Sequence, residues 1–188
     1  MSDRRRLIVE AALRVIARDG VNAATHRAVA GEAGVALAST TYHFSSKGEI
    51  VAEALELAID RSIAAVERCT AAPHPTTPAA LVDRLVELVD ALCAGDQAPL
   101  AAQYELLIEA GRSAELRRVA ERWDGAYMGG VRDVVAAAGI PRPDEAADIL
   151  SDLIEGALLD LVSFPRDGFT EGALRPLIAR TVAGLAAT

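Results

Sequence analysis

"GVALASTTYHFSSKGEI", residues 34–50, decides how the rest of the chain is read. Small and hydroxylated side chains fill it as far as Thr41, and three rings follow in a row, Tyr42, His43 and Phe44. A helix meant only to fill a core carries more leucine and less threonine, because a buried hydroxyl must find a hydrogen-bond partner. Short side chains suit a helix whose backbone must come close to a surface outside the chain.

Its neighbours give that helix a setting. Thr25 is placed to cap a helix over 26–33, and Gly34 ends it by accepting positive φ. Gly34-Val35 then leads into a second short helix over 37–43, with small Ala30 at the crossing point. Two short helices joined by a turn of three or four residues containing Gly form a helix-turn-helix, whose second helix enters a DNA major groove. Ala36, Leu37, Ala38, Ser39 and Thr41 are then the candidates for base-edge contact, with Thr and Ala methyls suited to thymine methyls. Tyr42, His43, Lys47 and His26 are the candidates for phosphate, through hydroxyl, imidazole, cation and helix-start donors, and Thr25 and Arg27 are further DNA-binding candidates.

Charge supports the assignment once it is divided. The whole chain carries −8, which argues against a polyanion partner. Residues 1–48, however, hold seven basic and four acidic groups, a net +3, and the remainder has −11. A basic head on an acidic body fits a small phosphate-binding module. Lys47 is the only lysine among 19 basic residues.

Further along, periodicity and caps predict helices over 4–19, 46–70, 78–94, 98–110, 113–138, 144–163 and 171–186, with no competing β-alternation. Ser46 and Glu49 form a capping box, Thr77, Ser113 and Thr170 are caps, and "AAPHPTTP" is a loop. The 188 residues, 52% hydrophobic and 4% aromatic, are enough for a substantial all-α core packed by small and aliphatic side chains. No run of about 18 apolar residues is present, so no membrane span is expected. The basic start "MSDRRR" looks like a secretory leader, but Glu10, Arg14, Arg18 and Asp19 interrupt the apolar run at helical spacing, and a cytoplasmic protein is expected. Cys69 and Cys93 fit no metal spacing and read as small hydrophobes. No hydrolytic triad, glycine-rich phosphate loop or histidine pair appears, so no enzyme activity, cofactor or metal is expected.

The combination of "Thr25-His26-Arg27", "Ala33-Gly34-Val35", "Tyr42-His43-Phe44", Ser46-Lys47 and a long following helix resembles the tetracycline-repressor (TetR) family of bacterial regulators. Lys47 falls where that family places a phosphate-contacting lysine. Thr40 stands where its members usually bury Leu or Val, and Thr41 where many have Tyr. The resemblance implies a DNA-binding domain over 1–48 and a helical ligand-binding and dimerisation domain over 49–188. It further implies a homodimer joined through its last two helices. That dimer would bind an inverted-repeat DNA operator as a repressor and be released when a small molecule shifts the fourth helix. Ala146, Ala147, Gly156, Ala157, Ala179, Ala183 and Gly184 would let helix axes approach in such an interface.

Ligand residues are harder to read. A stripe from Leu116 to Val134 in the seventh helix contains Trp123 and Tyr127 and is either core or pocket lining. Gly129 and Gly130 lie beside it. Asp160 falls between Ile149 and Leu153 on the apolar face of the eighth helix, where its carboxylate must be paired or reach solvent, with a neighbouring helix or a polar ligand as its candidate partners. Gln103 and Tyr104 are second-rank pocket candidates. Two alternatives stay open: a helix-turn-helix regulator controlled by a protein partner, and a helical-bundle enzyme using Asp160, Glu109 and Glu105.

Overall fold

The computed structural model of the protein describes residues 3–93 and 98–187. Among the described residues the chain forms nine α-helices and no strand. They are α1 Asp3–Asp19, α2 His26–Ala33, α3 Leu37–His43, α4 Lys47–Ala71, α5 Pro78–Cys93, α6 Ala98–Ala110, α7 Ala114–Ala137, α8 Pro143–Ser163 and α9 Arg175–Ala186. None of them is long and apolar enough to cross a membrane.

The chain divides into two compact units: Met1–Arg61 with Asp96–Arg122, and Ser62–Gly95 with Trp123–Thr188. Both α4 and α7 run from one unit into the other without a break.

In the first unit, α1 supplies Ile8, Val9, Leu13 and Ile16 to a core shared with α2 and α6. Burying each such side chain contributes about 1.5–3 kcal/mol. The caps act locally as the spacing predicts. Thr25 Oγ1 accepts from Ala28 N at 3.2 Å, and Gly34 takes the left-handed conformation at φ 65°. The capping box closes on one side only. Ser46 Oγ accepts from Glu49 N at 3.2 Å, but the Glu49 carboxylate accepts from Ser45 N at 2.6 Å rather than from Ser46. Its other oxygen is held by Arg5, which draws the carboxylate away from the expected donor.

The second unit packs α5 against α9 and α8 against α9. Thr77 caps α5 by accepting from Ala80 N at 3.2 Å. The expected cap at Thr170 is absent. A π-helical turn over Phe169–Leu174 precedes α9, and the Arg175 N–H bonds back to Thr170 O, five residues away. Pro176 explains the wider register: it has no N–H to continue the α ladder, and its ring crowds the preceding turn. Gly130 has a different role from the expected loosening of α7. A Cβ there would meet Val66 Cγ1 of α4 at 2.6 Å and Thr70 Cγ2 at 3.1 Å, so the glycine lets two helices touch.

Candidate nucleic-acid interface

The short helix α3 has two faces. Thr40 is fully buried and Phe44, just beyond the helix, is 1% exposed, both against the core that includes Val29 and Ala30 of α2. Leu37, Ala38, Thr41 and Tyr42 all face solvent, with Ala36 exposed at the helix start. Tyr42 is 84% exposed. An apolar ring and an apolar Leu37 left in water beside small residues form a surface shaped for something other than this unit's core.

Packing explains why this side points outward. The Thr40 hydroxyl donates to its own helix at Leu37 O, 2.8 Å away, and lies 3.4 Å from His26 O of α2. It is thus satisfied inside and occupies the position of an apolar residue. The Val35 N–H bonds to Ala30 O at 3.0 Å and fixes the turn between the helices. Thr41 Oγ1 donates to Ala38 O at 3.2 Å, so its hydroxyl is satisfied within its own helix. The Tyr42 and His43 rings meet edge-on, 5.1 Å apart. Ser39 and His43 are half-buried.

Thr25 and Arg27 are exposed at the start of α2, and His26 is half-buried with its Nδ1 atom enclosed and without a partner among the described residues. Lys47, half-buried, donates its ammonium to Asn22 O at 3.0 Å. Two of its three N–H donors therefore stay available.

The basic head is less free than its count implies. Arg14 and Arg18 both bind Glu32, at 2.8 and 3.0 Å, and together they hold its carboxyl below the usual range. Arg6 pairs with Glu10, and Arg5 with Glu49 and Glu53. Among the described residues of the head, Arg4, Arg27 and Lys47 are the cations outside ion pairs. Sequence reasoning missed the Arg5 cluster. Its legible signal is Glu49 and Glu53, two carboxylates one helical turn apart at the start of α4, which need a cation opposite.

In the second unit, Trp123 and Tyr127 are buried and stacked, with ring centroids 5.0 Å apart. Gln103 is buried and Tyr104 half-buried, both in the first unit. Asp160 takes the alternative in which the carboxylate is paired and reaches solvent. It is exposed and pairs with Arg166 at 2.5 Å. The apolar face of α8 extends around to solvent, where Ile149 is 40% exposed, so a residue between Ile149 and Leu153 is not thereby interior. Such an exposed pair contributes no more than about 1 kcal/mol. An open groove of about 440 Å³ lies between α5 and α9, walled by Pro78, Ala79, Val82, Ala179, Val182 and Ala183. None of the five expected ligand residues lines it.

Comparison with known proteins agrees with the geometry at both ends of the chain. Residues 8–66 match the profile of bacterial regulatory proteins of the tetR family, and residues 76–187 match the tetracyclin repressor-like C-terminal domain. The chain belongs to the TetR family. This is a family of transcriptional regulators rather than enzymes.

A curated relative is HdnoR of Paenarthrobacter nicotinovorans, a nicotine-responsive transcriptional repressor, 32% identical over 111 residues. That match covers 59% of this TetR-family chain and 56% of HdnoR, about half the length of each protein. Among solved structures, the TetR-family member SCO1917 of Streptomyces coelicolor A3 is 30% identical with a TM-score of 0.72, covering 98% of both chains. The multidrug binding protein EbrR, complexed with ethidium, is 30% identical with a TM-score of 0.66, over 95% of this TetR-family chain and 98% of that one.

Proposed function

We propose that this TetR-family protein represses transcription by binding an inverted-repeat operator as a homodimer, and that a small molecule releases it. The carrying observation is the outward face of α3, where Leu37, Ala38, Thr41 and Tyr42 stand exposed over a helix anchored by buried Thr40 and Phe44. In this reading Ala36, Leu37, Ala38, Ser39 and Thr41 meet base edges, and Thr25, His26, Arg27, Tyr42, His43 and Lys47 meet phosphate and sugar. The reading head comprises residues 1–48, and residues 49–188 carry dimerisation and ligand control.

Support for a dimer comes from α8 and α9. Ile149, Leu159 and Leu177 are 40–46% exposed, and Gly156, Ala183 and Gly184 on the same two helices are exposed too. Ala146 and Ala147, expected to join that face, are instead buried within the unit. Large apolar side chains around small ones make a self-complementary surface suited to a two-fold contact.

Ligand control is supported by EbrR, which binds ethidium, and by the nicotine response of HdnoR. In this chain Trp123 and Tyr127 offer a stacked aromatic pair in the body. A planar aromatic or cationic ligand admitted beside this buried pair would be held by stacking and cation–π attraction.

Selection of bound duplexes from a random pool tests the operator claim. The expected result is an inverted repeat with half-sites about one helical turn apart or somewhat more. A single unrepeated element, or no enrichment, overturns it. Ethidium serves as the first ligand probe. It should quench the fluorescence of Trp123, the only tryptophan, and lower affinity for the selected operator. Quenching without loss of operator affinity would refute ligand release.

A further inference from the structure

Arg5 lies in the basic run Arg4-Arg5-Arg6, which charge alone assigns to DNA. Its guanidinium is committed elsewhere. Nε donates to both oxygens of Glu53, at 2.9 and 3.0 Å, and Nη2 donates to Glu49 at 2.8 Å and also to Glu53. Nη1 donates to the main-chain carbonyl of His43, the last residue of α3. The same guanidinium lies over the Phe44 ring, 4.3 Å from its centroid. Its side chain is 25% exposed, and those of Glu49 and Glu53 are 34% and 27% exposed.

This arrangement joins three elements through one planar fork. The carbonyl of His43 belongs to the last turn of α3, whose C=O groups have no partner within the helix. Glu49 and Glu53 stand on the first two turns of α4, and Arg5 itself belongs to α1. Glu49 extends the chain of bonds by accepting from the N–H and hydroxyl of Ser45, in the connection between α3 and α4. A guanidinium donates in fixed directions in one plane, so the three acceptors are held at fixed relative positions. An ammonium at the same place binds as a point charge and fixes no such geometry.

We infer that Arg5 is a positioning residue for operator recognition: it holds the C-terminal end of α3 against the start of α4 and α1, and does not itself contact DNA. The inference rests on the reading of α3 as the helix that enters the groove. Sequence discrimination requires the base-contacting side chains to keep their register, whereas phosphate attraction tolerates a displaced helix. Loss of the fork should therefore remove discrimination and leave non-specific binding in place. Glu53 shares this role, and its charge makes the forecast sharp. Neutralising an acidic residue near DNA strengthens binding to all duplexes when charge alone matters. Here it should weaken binding to the operator.

The experiment measures affinity for the selected operator and for a scrambled duplex across a salt series. The full-length protein is compared with its Arg5→Ala, Arg5→Lys, Glu53→Gln and Arg5→Ala/Glu53→Gln variants. Arg5→Ala should lose roughly ten- to hundredfold in operator affinity, the range set by a charge-assisted hydrogen bond. Scrambled-duplex affinity should change less than about twofold, with an unchanged salt slope, because no phosphate contact is lost. Arg5→Lys should recover only part of the loss. Glu53→Gln should lose operator affinity, and the double variant should be no worse than Arg5→Ala.

A uniform loss on both duplexes, with the salt slope lower by about one, would make Arg5 a phosphate contact and overturn the proposal. Wild-type discrimination in Glu53→Gln would overturn it too, even if Arg5→Ala does not fold. Lys47→Ala and Arg27→Ala keep the two readings separate. If neither of these weakens DNA binding, the assignment of the head fails. If both weaken it while Glu53→Gln discriminates normally, the Arg5 inference alone fails.

Discussion

The Lys47 ammonium and the Asn22 carbonyl are 3.0 Å apart, which ties the first residue of α4 to the 3₁₀ turn Val21–Ala23 before α2. The bond holds a mobile four-carbon chain in one direction while leaving donors for phosphate. Lys47→Ala should weaken operator and scrambled duplex alike, and lower the salt slope by about one. Affinity measured across a salt series checks this. A change of sequence preference with intact non-specific affinity would contradict the phosphate role.

Thr40 provides the contrasting case, a residue of α3 that is turned into the core. Its hydroxyl bonds mainly to its own helix, at Leu37 O. Thr40→Val exchanges a hydrogen bond of about 0.5–1.5 kcal/mol for a buried methyl of about 0.8 kcal/mol. Stability in urea should shift by no more than about 1 kcal/mol in either direction, and operator affinity should be unchanged. A large loss of affinity at constant stability would place Thr40 in the interface.

Gly129 and Gly130 are adjacent in α7 but should respond oppositely to alanine. Nothing lies within 4 Å of a Cβ at Gly129, so Gly129→Ala should stabilise by about 0.5–1 kcal/mol through helix propensity. A Cβ at Gly130 would meet Val66 at 2.6 Å, and overpacking of this kind costs about 1–3 kcal/mol. Gly130→Ala should therefore be net destabilising. Urea unfolding of the two variants decides, and stabilisation of both would show that α4 and α7 have room to separate.

Glu49 gives the head an acid dependence. The Ser45 N–H, then Arg5 and the Ser45 hydroxyl, hold its carboxyl down at about 2. A depressed carboxylate contributes fully above its unfolded value, and the contribution is lost as pH falls through the folded value. Tm should fall as pH drops from about 5 towards about 2, and Glu49→Gln should flatten this part of the curve. Parallel curves for the two proteins would remove Glu49 from the account.

Leu159 and Leu177, 46% and 41% exposed, test the dimer. Leu159→Asp or Leu177→Asp should shift sedimentation from dimer to monomer, because a charge in an apolar two-fold contact meets its own copy. Operator affinity should fall with the dimer, since each half-site alone is held weakly. A monomeric wild-type protein would refute the interface at once.

The sequence by itself determined the helices and most of their caps. Thr25 and Thr77 cap the helices they were expected to cap, and Gly34 takes the left-handed conformation. These signals are local, because a cap or a positive φ involves residues only a few positions apart. The small, hydroxylated run from Ala36 to Thr41 is equally legible in sequence, and the structure leaves Ala36, Leu37, Ala38 and Thr41 exposed.

Only the tertiary structure decided which side of each helix is inside and which charges are already taken. Pro176 shifts α9 to start at Arg175, Glu32 pairs with both Arg14 and Arg18, and Asp160 turns to solvent with Arg166. Helical periodicity groups residues on a face, but an apolar face turned to the core looks the same in sequence as one turned to a second copy. Arg5 and Glu53 stand 48 positions apart, and no local pattern reports that the fold brings them together. The fold alone brings Arg5 of α1 to Glu49 and Glu53 of α4 and to the His43 carbonyl at the end of α3.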